Sequence, residues 1–463
     1  MEKIRVLNPY DLSLIEEVRR TTEQDTFAIL ETSYQLYMDR TCWIPLYRRI
    51  EILEKAVEIM GRNASELART AAREGGKPLV DSVVEINRAM DGIKVAVKEL
   101  QHFGGREIPM NLTHSSANRM AYTMKEPRGV VMAVSAFNHP FNLIVHQVIP
   151  AIAVGCPVIV KPASATPLSC RNLVDILYKA GLPQEWCRMV LCENQVVEKI
   201  IADRRTAFLT FIGSAEVGWY LRSKLAPGAD CALEHGGAAP VIFDASADIA
   251  QAMPLLVKGG FYHAGQVCVS VQRVYVHQDI VERFARKMTD LAQQLLVGDP
   301  LDEKTEVGPL ITTEDVDRVH SWVMEAADKG AKILCGGKKI SNTCYEPTVI
   351  LNPPEDARVS QKEIFGPVVC IYSYKNRDEA IHRANQLDFC FQAAVFTKDL
   401  ENALDTVKKL NAMAVMVNDH TAFRVDWMPF GGHKESGLGV GGIGPAMHEM
   451  TVEKLMVIKS DAL

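Results

Sequence analysis

Cys268 and Glu234 carry side chains that could perform covalent and acid–base chemistry. Cys268 lies in Phe261-Tyr-His-Ala-Gly-Gln-Val-Cys-Val-Ser-Val-Gln-Arg273, where a helical pattern breaks and a strand follows. A thiol at such a junction can face a cleft, and its thiolate is a nucleophile once a base or a positive charge lowers its pKa. Glu234 stands at a predicted strand end in Leu233-Glu-His-Gly-Gly237 and could act as a general base for water. The plainer alternatives are a core thiol and a salt-bridged loop carboxylate.

Polar side chains also follow three predicted strands. Asn138 follows the first, in Ser135-Ala-Phe-Asn-His-Pro-Phe-Asn142, and its amide could donate to an oxyanion. Lys161 follows the second strand, where a ribose or phosphate could lie. In Phe211-Ile-Gly-Ser214 a strand, a glycine and a helix start succeed one another, as in phosphate-binding turns. The alternatives are a simple turn at Asn138 and a helix N-cap at Ser214.

Hydrophobic periodicity predicts the elements that position these side chains. The first hundred residues are predicted to be helical, with helices over 47–60, 64–74 and 80–100 and with Asn63 and Ser65 as caps. After Gly129 the pattern alternates between strands and helices. The strands are 130–135, 157–160, 188–191 and 208–212, and the helices are 141–154, 168–180, 195–202 and 215–225. This alternation predicts a parallel sheet with helices on both faces, whose strand ends bind nucleotides.

A second α/β block is predicted from Gly236 onward. Its strands are 240–243, 273–277, 368–374, 392–397 and 414–417, and its helices are 249–260, 281–296 and 313–329. The segment 451–459 alternates as a strand does, but no partner strand lies near it in sequence. It could therefore pair across a subunit interface.

Composition narrows the class of protein. The chain has 463 residues, 48% of them hydrophobic and 23% charged, which fits two or three globular domains. The net charge of −6 argues against a nucleic-acid partner. The 11 cysteines form no CxxC pair, so neither a metal site nor a disulfide framework is expected. No long apolar run and no signal-peptide core occur, which predicts a cytoplasmic protein without a membrane partner.

Seven motifs occur in a fixed order along the chain. They are Phe137-Asn-His-Pro-Phe-Asn142, Lys161-Pro-Ala-Ser-Ala-Thr-Pro167, Phe211-Ile-Gly-Ser214, Leu233-Glu-His-Gly-Gly237, Gly265-Gln-Val-Cys268, Glu363-Ile-Phe-Gly-Pro367 and Pro429-Phe-Gly-Gly432. Together they resemble the aldehyde dehydrogenase superfamily, and the resemblance covers nearly the whole chain. The 34-residue spacing of Glu234 and Cys268 is the usual one in that family. The closest motifs are those of the lactaldehyde, phosphonoacetaldehyde and succinate-semialdehyde branches.

The resemblance implies an oxidation of an aldehyde to a carboxylic acid with hydride transfer to NAD(P)+. Cys268 would form a thiohemiacetal and then a thioester, Asn138 would stabilise the oxyanion, and Glu234 would activate the hydrolytic water. The remaining family positions would hold the cofactor. They are Lys161, Ser164, Gly213, Ser214, Glu363, Phe365, Ser135 and Phe137.

The family fold implies three parts. A Rossmann-like cofactor domain would comprise 1–107 and 125–235, and an α/β catalytic domain would comprise 236–425. A small strand-exchanging oligomerisation element would comprise 108–124 and 440–463, so a homodimer or homotetramer is expected.

Three positions depart from the commonest family pattern. Ser164 stands where many NAD-preferring members have a glutamate, and the loss of that negative charge makes NADP a plausible alternative to NAD. His139 stands where an aromatic is usual, with Val267 beside the cysteine. The loop Val190-Leu-Cys-Glu-Asn-Gln195 lacks a common Thr-Gly, which leaves the adenine contacts open.

The substrate is less defined by the sequence. His139 and Arg424 could together suit a small aldehyde that bears an acidic or hydroxyl group, and Phe423 and Tyr262 are further candidates for the pocket. Alternatively, His139 packs at a helix start and Arg424 braces its loop through Asp426. A CoA-acylating enzyme and a catalytically silent protein on this fold are the rival functions. The presence of Glu234, Cys268 and Asn138 disfavours both.

Overall fold

A computed structural model describes residues 2–463. Those residues form fourteen α-helices and twenty strands. The helices are α1 Glu23–Met38, α2 Leu46–Gly75, α3 Leu79–Leu100, α4 Asn142–Val154, α5 Pro167–Ala180, α6 Asn194–Ile201, α7 Ala215–Arg222, α8 Ile249–Phe261, α9 Val281–Ala292, α10 Thr313–Asp328, α11 Arg358–Gln361, α12 Arg377–Ala384, α13 Leu400–Lys409 and α14 Ile443–Glu449. The strands are β1 Lys3–Leu7, β2 Leu14–Arg19, β3 Glu107–Ile108, β4 Arg119–Pro127, β5 Val130–Val134, β6 Val158–Lys161, β7 Cys187–Met189, β8 Thr206–Ile212, β9 Asp230–Glu234, β10 Pro240–Phe243, β11 Arg273–His277, β12 Lys332–Cys335, β13 Thr348–Leu351, β14 Val368–Tyr374, β15 Phe389–Cys390, β16 Gln392–Phe396, β17 Ala414–Val417, β18 His433–Lys434, β19 Gly437–Leu438 and β20 Thr451–Lys459.

Two largely parallel sheets organise the chain. The first has the order β19-β9-β8-β5-β6-β7, and only the short β19 runs antiparallel to its neighbour. The second has the order β12-β13-β14-β11-β10-β16-β17, and only β12 is antiparallel. The central strands of both sheets are buried, as expected where helices cover both faces. The predicted α/β fold with two blocks is confirmed.

The N-terminal region differs from the prediction in two ways. Residues 46–75 form one helix, α2, rather than two, and Asn63 is not a cap, since its side chain donates to the carbonyl of Ile59 at 2.7 Å. One continuous apolar face, buried from Ile52 to Ala72, keeps the helix unbroken through Asn63 and Ser65. Residues 3–7 and 14–19 form the antiparallel pair β1–β2, not helix, and in β1 the apolar Ile4 and Val6 alternate with Lys3 and Arg5.

The terminal strand also has a partner that the sequence did not indicate. All nine residues of β20 pair antiparallel with β4 of the same chain, more than 300 positions earlier. A third strand, β3, pairs with the other edge of β4. The sequence suggested that this strand could pair across a subunit interface, but its first partner, β4, belongs to the same chain. The opposite edge of β20 is the outer edge of this three-stranded sheet.

Buried carboxylates on α2 and α3 hold the starts of the two helices that follow β5 and β6. Glu85 accepts hydrogen bonds from the backbone N–H groups of Phe141 and Asn142, both at 2.9 Å, and pairs with the buried Lys77. Glu74 accepts from Leu168 and Ser169, both at 2.7 Å. Burial raises the pKa of Glu74 to about 7. Negative charge at a helix N-terminus is favourable, so these side chains fix where α4 and α5 begin.

No helix within residues 2–463 is both long enough and apolar enough to cross a membrane.

Replacing Lys77 by methionine should destabilise the protein strongly. The change leaves the Glu85 carboxylate buried without its counter-charge, which costs about 3–5 kcal/mol in comparable pairs. Urea unfolding at pH 7 measures the loss. Lys55→Met, at an exposed position of α2, is the control and should change stability by less than about 0.5 kcal/mol. Equal effects of the two variants would contradict the role given to the pair.

Candidate active site

A left-handed turn presents Cys268. His263 and Ala264 have φ values of 51° and 53°, and Gly265 follows with 68°. Left-handed backbone is costly for residues with side chains, so the surrounding structure must enforce it. A Cβ at Gly265 would collide with the carbonyl oxygen of Gly366, which explains the glycine. The turn ends α8 and places Cys268 in the loop before β11, at the helix-to-strand junction predicted from the sequence.

Gln266 holds this loop in place through hydrogen bonds of its side-chain amide and of its backbone carbonyl. Its amide donates to the carbonyl of Pro309 at 3.1 Å and its side-chain oxygen accepts from Ile311 N–H at 2.9 Å. The Asn138 amide donates to the backbone carbonyl of Gln266 at 2.9 Å. Asn138 follows β5 of the first sheet, so this bond joins the two blocks. Since an amide nitrogen carries two hydrogens, Asn138 keeps a second donor beside the Cys268 loop.

Cys268 shares its surroundings with two charged groups. Burial, and then the Glu234 carboxylate, raise the pKa of Cys268 well above its ordinary value, whereas Arg424 opposes the rise. Burial likewise raises the pKa of Glu234, again opposed by Arg424. The thiol is therefore protonated at neutral pH, contrary to the lowered pKa that a nucleophile requires. A further positive charge at the site would favour the thiolate.

Glu363, Phe365 and Phe137 lie together next to the glycines that follow β9. Glu363 accepts from the Gly237 N–H at 3.2 Å, and burial raises the pKa of its carboxyl to about 8. The rings of Phe365 and Phe137 meet edge to face at 5.8 Å. Phe365 has a φ of 47°, and Arg318 donates to the Ile364 carbonyl beside it at 2.7 Å. These residues come from distant parts of the sequence but form one wall.

The other candidate cofactor residues lie at the strand ends of the first sheet. The hydroxyl of Ser135 is buried without a hydrogen-bond partner among residues 2–463. Lys161 is buried, forms no ion pair within that range, and its pKa is lowered by burial. Ser214 occupies the N-cap position of α7 but makes no capping bond with its side chain. Gly213 N–H donates to the Glu234 carbonyl at 3.1 Å. Ser164 is exposed. Free donors of this kind fit a dinucleotide.

The four candidate substrate residues are not equivalent. His139 is partly buried against the rings of Tyr262 and His263, at 6.4 and 6.1 Å, and burial lowers its pKa well below the usual value. It is therefore a neutral residue and cannot bind an anion by charge. Phe423 is 42% exposed, at the rim. Arg424 alone places a cation near Cys268 and Glu234.

A network that the sequence did not reveal holds Arg424. Its guanidinium lies 3.5 Å over the Phe430 ring and donates to His146 at 3.3 Å. His146 in turn bonds Asp426 at 2.8 Å, and Arg88 of α3 forms two bonds with that carboxylate, at 2.9 and 3.1 Å. Arg424 therefore reaches Asp426 through His146 rather than directly. Burial and Arg424 lower the pKa of His146 to about 4. The Arg424 Nε atom is buried without a partner within 2–463.

The comparisons with known proteins agree with this geometry. The sequence profile described as the aldehyde dehydrogenase family matches residues 1–456. The chain belongs to the aldehyde dehydrogenase family. It is an NAD(P)-dependent oxidoreductase that acts on aldehydes, so the function, fold and cofactor class expected from the seven motifs are confirmed.

Individual relatives are similar along their whole length. The 3-sulfolactaldehyde dehydrogenase of Priestia aryabhattai is 36% identical over 458 residues, which cover 99% of this chain and 95% of that protein. Aldehyde dehydrogenase 21 from Physcomitrella patens, in complex with its reaction product succinate, is 34% identical with a TM-score of 0.95, and the match covers 99% and 95% of the two chains. Glyceraldehyde-3-phosphate dehydrogenase from Methanocaldococcus jannaschii, complexed with NADP, is 33% identical with a TM-score of 0.94 and coverages of 99% and 100%.

Alkylation should report the charges around the thiol of this aldehyde dehydrogenase. The rate at which iodoacetamide modifies Cys268 should rise with pH. Glu234→Gln should move the profile to lower pH and Arg424→Gln to higher pH, each by about one unit, because the first removes a negative and the second a positive neighbour. Mass spectrometry of the Cys268 peptide measures the rate. The exposed Cys42 is the internal control. Shifts in the same direction would refute this electrostatic account.

Proposed function

We propose that Cys268 is the nucleophile, Asn138 the oxyanion donor and Glu234 the general base of this enzyme. The sulfur of Cys268 bonds to the aldehyde carbon, and the oxyanion that forms accepts from the Asn138 amide and the Cys268 N–H. NAD(P)+, held by the residues proposed below, would supply a positive charge that favours the thiolate and would accept the hydride that leaves the former aldehyde carbon, so that a thioester forms. Water then attacks the thioester carbon, its proton passes to Glu234, and the carbon–sulfur bond breaks to release the carboxylic acid.

One observation carries this assignment. Asn138, Glu234 and Cys268 come from three separate segments, yet Asn138 bonds the loop of Cys268 directly and Glu234 interacts with the thiol electrostatically. Arg424 acts electrostatically on both Glu234 and Cys268, and Glu234 also acts on Cys268. Nine of the remaining ten cysteines are buried, and Cys42 lies at the surface beside Asp39, whereas Cys268 is partly exposed. The presence of Glu234 also favours water over CoA as acyl acceptor.

Rapid-mixing kinetics should separate the two half-reactions. Glu234→Gln should retain a burst of reduced cofactor of about one per active site and lose 10²- to 10⁴-fold, on the order expected for a general base, in the following steady rate. Cys268→Ser should abolish the burst. A steady rate in Glu234→Gln equal to that of the unchanged enzyme would refute the base. A steady rate of the unchanged enzyme that depends on added CoA would favour an acylating enzyme.

We propose that Lys161, Ser164, Ser214, Gly213 and Ser135 bind the nucleotide half of the cofactor and that Glu363, Phe365 and Phe137 bind its nicotinamide half. The free donors at the strand ends and the buried carboxylate wall support this division. We further propose that NADP is used, because the exposed Ser164 presents no negative charge beside Lys161. The complex of the Methanocaldococcus jannaschii relative with NADP is in line with this.

Ser164→Glu should make the enzyme discriminate against NADP+, whose adenosine ribose carries a 2′-phosphate. A carboxylate beside that phosphate repels it, so kcat/KM with NADP+ should fall on the order of tenfold or more, while kcat/KM with NAD+ is retained or increased. Ser164→Gln adds the same bulk without charge and should lower both values alike. Initial-rate kinetics with the two cofactors give the ratio. An unchanged ratio in Ser164→Glu would show that this position does not select the cofactor.

We propose a small aldehyde with an acidic or hydroxyl group as substrate and Arg424 as the residue that binds that group. His139, Tyr262 and Phe423 would shape the pocket without charge. Two observations support this role. The Nε atom of Arg424 is buried without a hydrogen-bond partner among residues 2–463, and the guanidinium packs over the Phe430 ring. The names of the relatives that act on sulfolactaldehyde or are bound to succinate point the same way.

Arg424→Ala should discriminate charged from neutral aldehydes. For 3-sulfolactaldehyde and succinate semialdehyde kcat/KM should fall on the order of tenfold to hundredfold more than for propanal, because only the former lose a buried ionic contact. Arg424→Lys should recover part of the loss, since it keeps the charge. An equal loss for all three aldehydes would remove Arg424 as the anion-binding residue.

We also propose the assembly, domains and compartment. The three-stranded sheet, with 108–124 and 440–463, would mediate a homodimer or homotetramer, because β20 exposes Leu455, Val457 and a free strand edge. Residues 1–107 with 125–235 would form the cofactor domain and 236–425 the catalytic domain. The cysteines are unpaired, which suits a reducing cytoplasm.

A further inference from the structure

Three buried oxygen atoms near Glu234 belong to residues that line one small cavity. Glu234 Oε1, Gln147 Oε1 and Glu449 Oε2 are each buried and have no hydrogen-bond partner among residues 2–463. Glu234, Gln147 and Glu449 all line a cavity of about 40 Å³. Such a volume holds about three water molecules, and water is stable in a cavity where polar atoms offer it partners. The three oxygens therefore define a hydration site.

The cavity extends away from the reacting thiol. Its lining includes Glu234 but neither Cys268 nor Asn138. The opposite wall is formed by the turn around Gly439 and by α14, which carries Glu449. A Cβ at Gly441 would collide with the Phe430 carbonyl oxygen at 2.5 Å and would also come 3.2 Å from the Oε2 atom of Glu234, so this wall lies close to the carboxyl group. The cavity thus leads from the general base to a second carboxyl group.

Glu449 connects this cavity with the surface. Its Oε1 accepts from the Val440 N–H at 2.9 Å, which holds the carboxyl in place. Arg128 donates to the backbone carbonyl of Glu449 at 2.9 Å and pairs at 3.1 Å with Asp230, whose side chain is 61% exposed. Glu449 itself is only partly buried. Although its Oε2 atom is buried, Glu449 therefore lies between the cavity and the partly exposed outer side of α14.

Hydrolysis of the thioester leaves a proton on Glu234 that must depart before the next turnover. We propose that Glu449 and water in this cavity carry that proton from Glu234 to the surface. The water oxygen bonds to the thioester carbon, its proton passes to Glu234, and the sulfur leaves as thiolate. The proton then moves through cavity water to the Glu449 carboxylate and on to solvent, so Glu234 is again ionised and no other reactant is consumed.

The charges facing the two carboxyl groups suit this transfer. Arg424 and Cys268 face Glu234, while Asp230, Cys231 and Arg128 face Glu449. Burial raises the pKa of both glutamates above the ordinary value, so each can hold a proton briefly. His146 also lines the cavity but both of its ring nitrogens are engaged, by Asp426 and Arg424. The proposal rests on the proposed role of Glu234 as general base. Glu449 does not contact the substrate and acts only by receiving the proton that Glu234 releases.

Glu449→Gln tests the path with little change of shape. The amide oxygen can still accept from Val440, but the side chain no longer takes up a proton. Rapid mixing with an aldehyde and NAD(P)+ should show an unchanged burst of reduced cofactor and a steady rate reduced about tenfold, with a larger solvent deuterium isotope effect on the steady rate. Glu453→Gln, on β20 beside Lys125 at the surface, should leave all three quantities unchanged.

Ala446→Val is a second variant that does not alter a carboxyl group. Ala446 lines the cavity on α14, so the added methyl groups would displace water from it. The same pattern, an unchanged burst with a slower steady rate, is expected. An equal slowing of burst and steady rate in both variants would overturn the proposal, as would no slowing in either. If Glu234→Gln leaves the steady rate unchanged, the proposed role of Glu234 as base is wrong. The Glu449 and Ala446 variants retain Glu234, so their results test the proton path separately.

Discussion

The hydrogen bond from the Asn138 amide to the Gln266 carbonyl joins the two halves of the candidate active site. Asn138 belongs to the loop after β5 of the first sheet, and Gln266 belongs to the loop that precedes β11 of the second. The Cys268 turn contains three successive left-handed residues and cannot hold that conformation alone. Gln266 supplies the restraint from within the second block, and Asn138 supplies it from the first. The position of the thiol relative to the cofactor sheet depends on this contact.

The start of α4, which follows the Asn138 loop, depends on a buried charge. Glu85 holds the first N–H groups at the start of α4, and Lys77 balances its charge. An ion pair of this kind adds little net stability compared with apolar packing, since both groups must lose their hydration. Its value lies in the specific position it gives to the loop between β5 and α4. A hydrophobic replacement would leave those N–H groups without an acceptor.

The site concentrates ionisable groups in a poorly hydrated space. Burial and the Glu234 carboxylate raise the pKa of Cys268, burial alone raises the pKa of Glu234, and Arg424 opposes the rise for both groups. Arg424 is oriented by neutral His146, which Asp426 and Arg88 hold from behind. The same cation thus lies near the Cys268 thiol, the Glu234 carboxyl group and the proposed position of an acidic substrate group. Because one cation lies near all three, a substitution of Arg424 would change the ionisation of Cys268 and Glu234 together with the proposed binding of the substrate.

The sequence by itself determined the elements and residues that depend on local order. Strand–loop–helix alternation predicted both sheets, and Asn138, Glu234 and Cys268 stand at element ends that periodicity locates well. It did not locate the β20–β4 pairing, the Arg88–Asp426–His146 chain or the cavity between Glu234 and Glu449. The residues that each of these features brings into contact lie more than 200 positions apart. Nor did it show that His139 is neutral or that the Cys268 thiol is hard to ionise. Those properties arise from burial and from neighbours in space, and only the tertiary structure decides them.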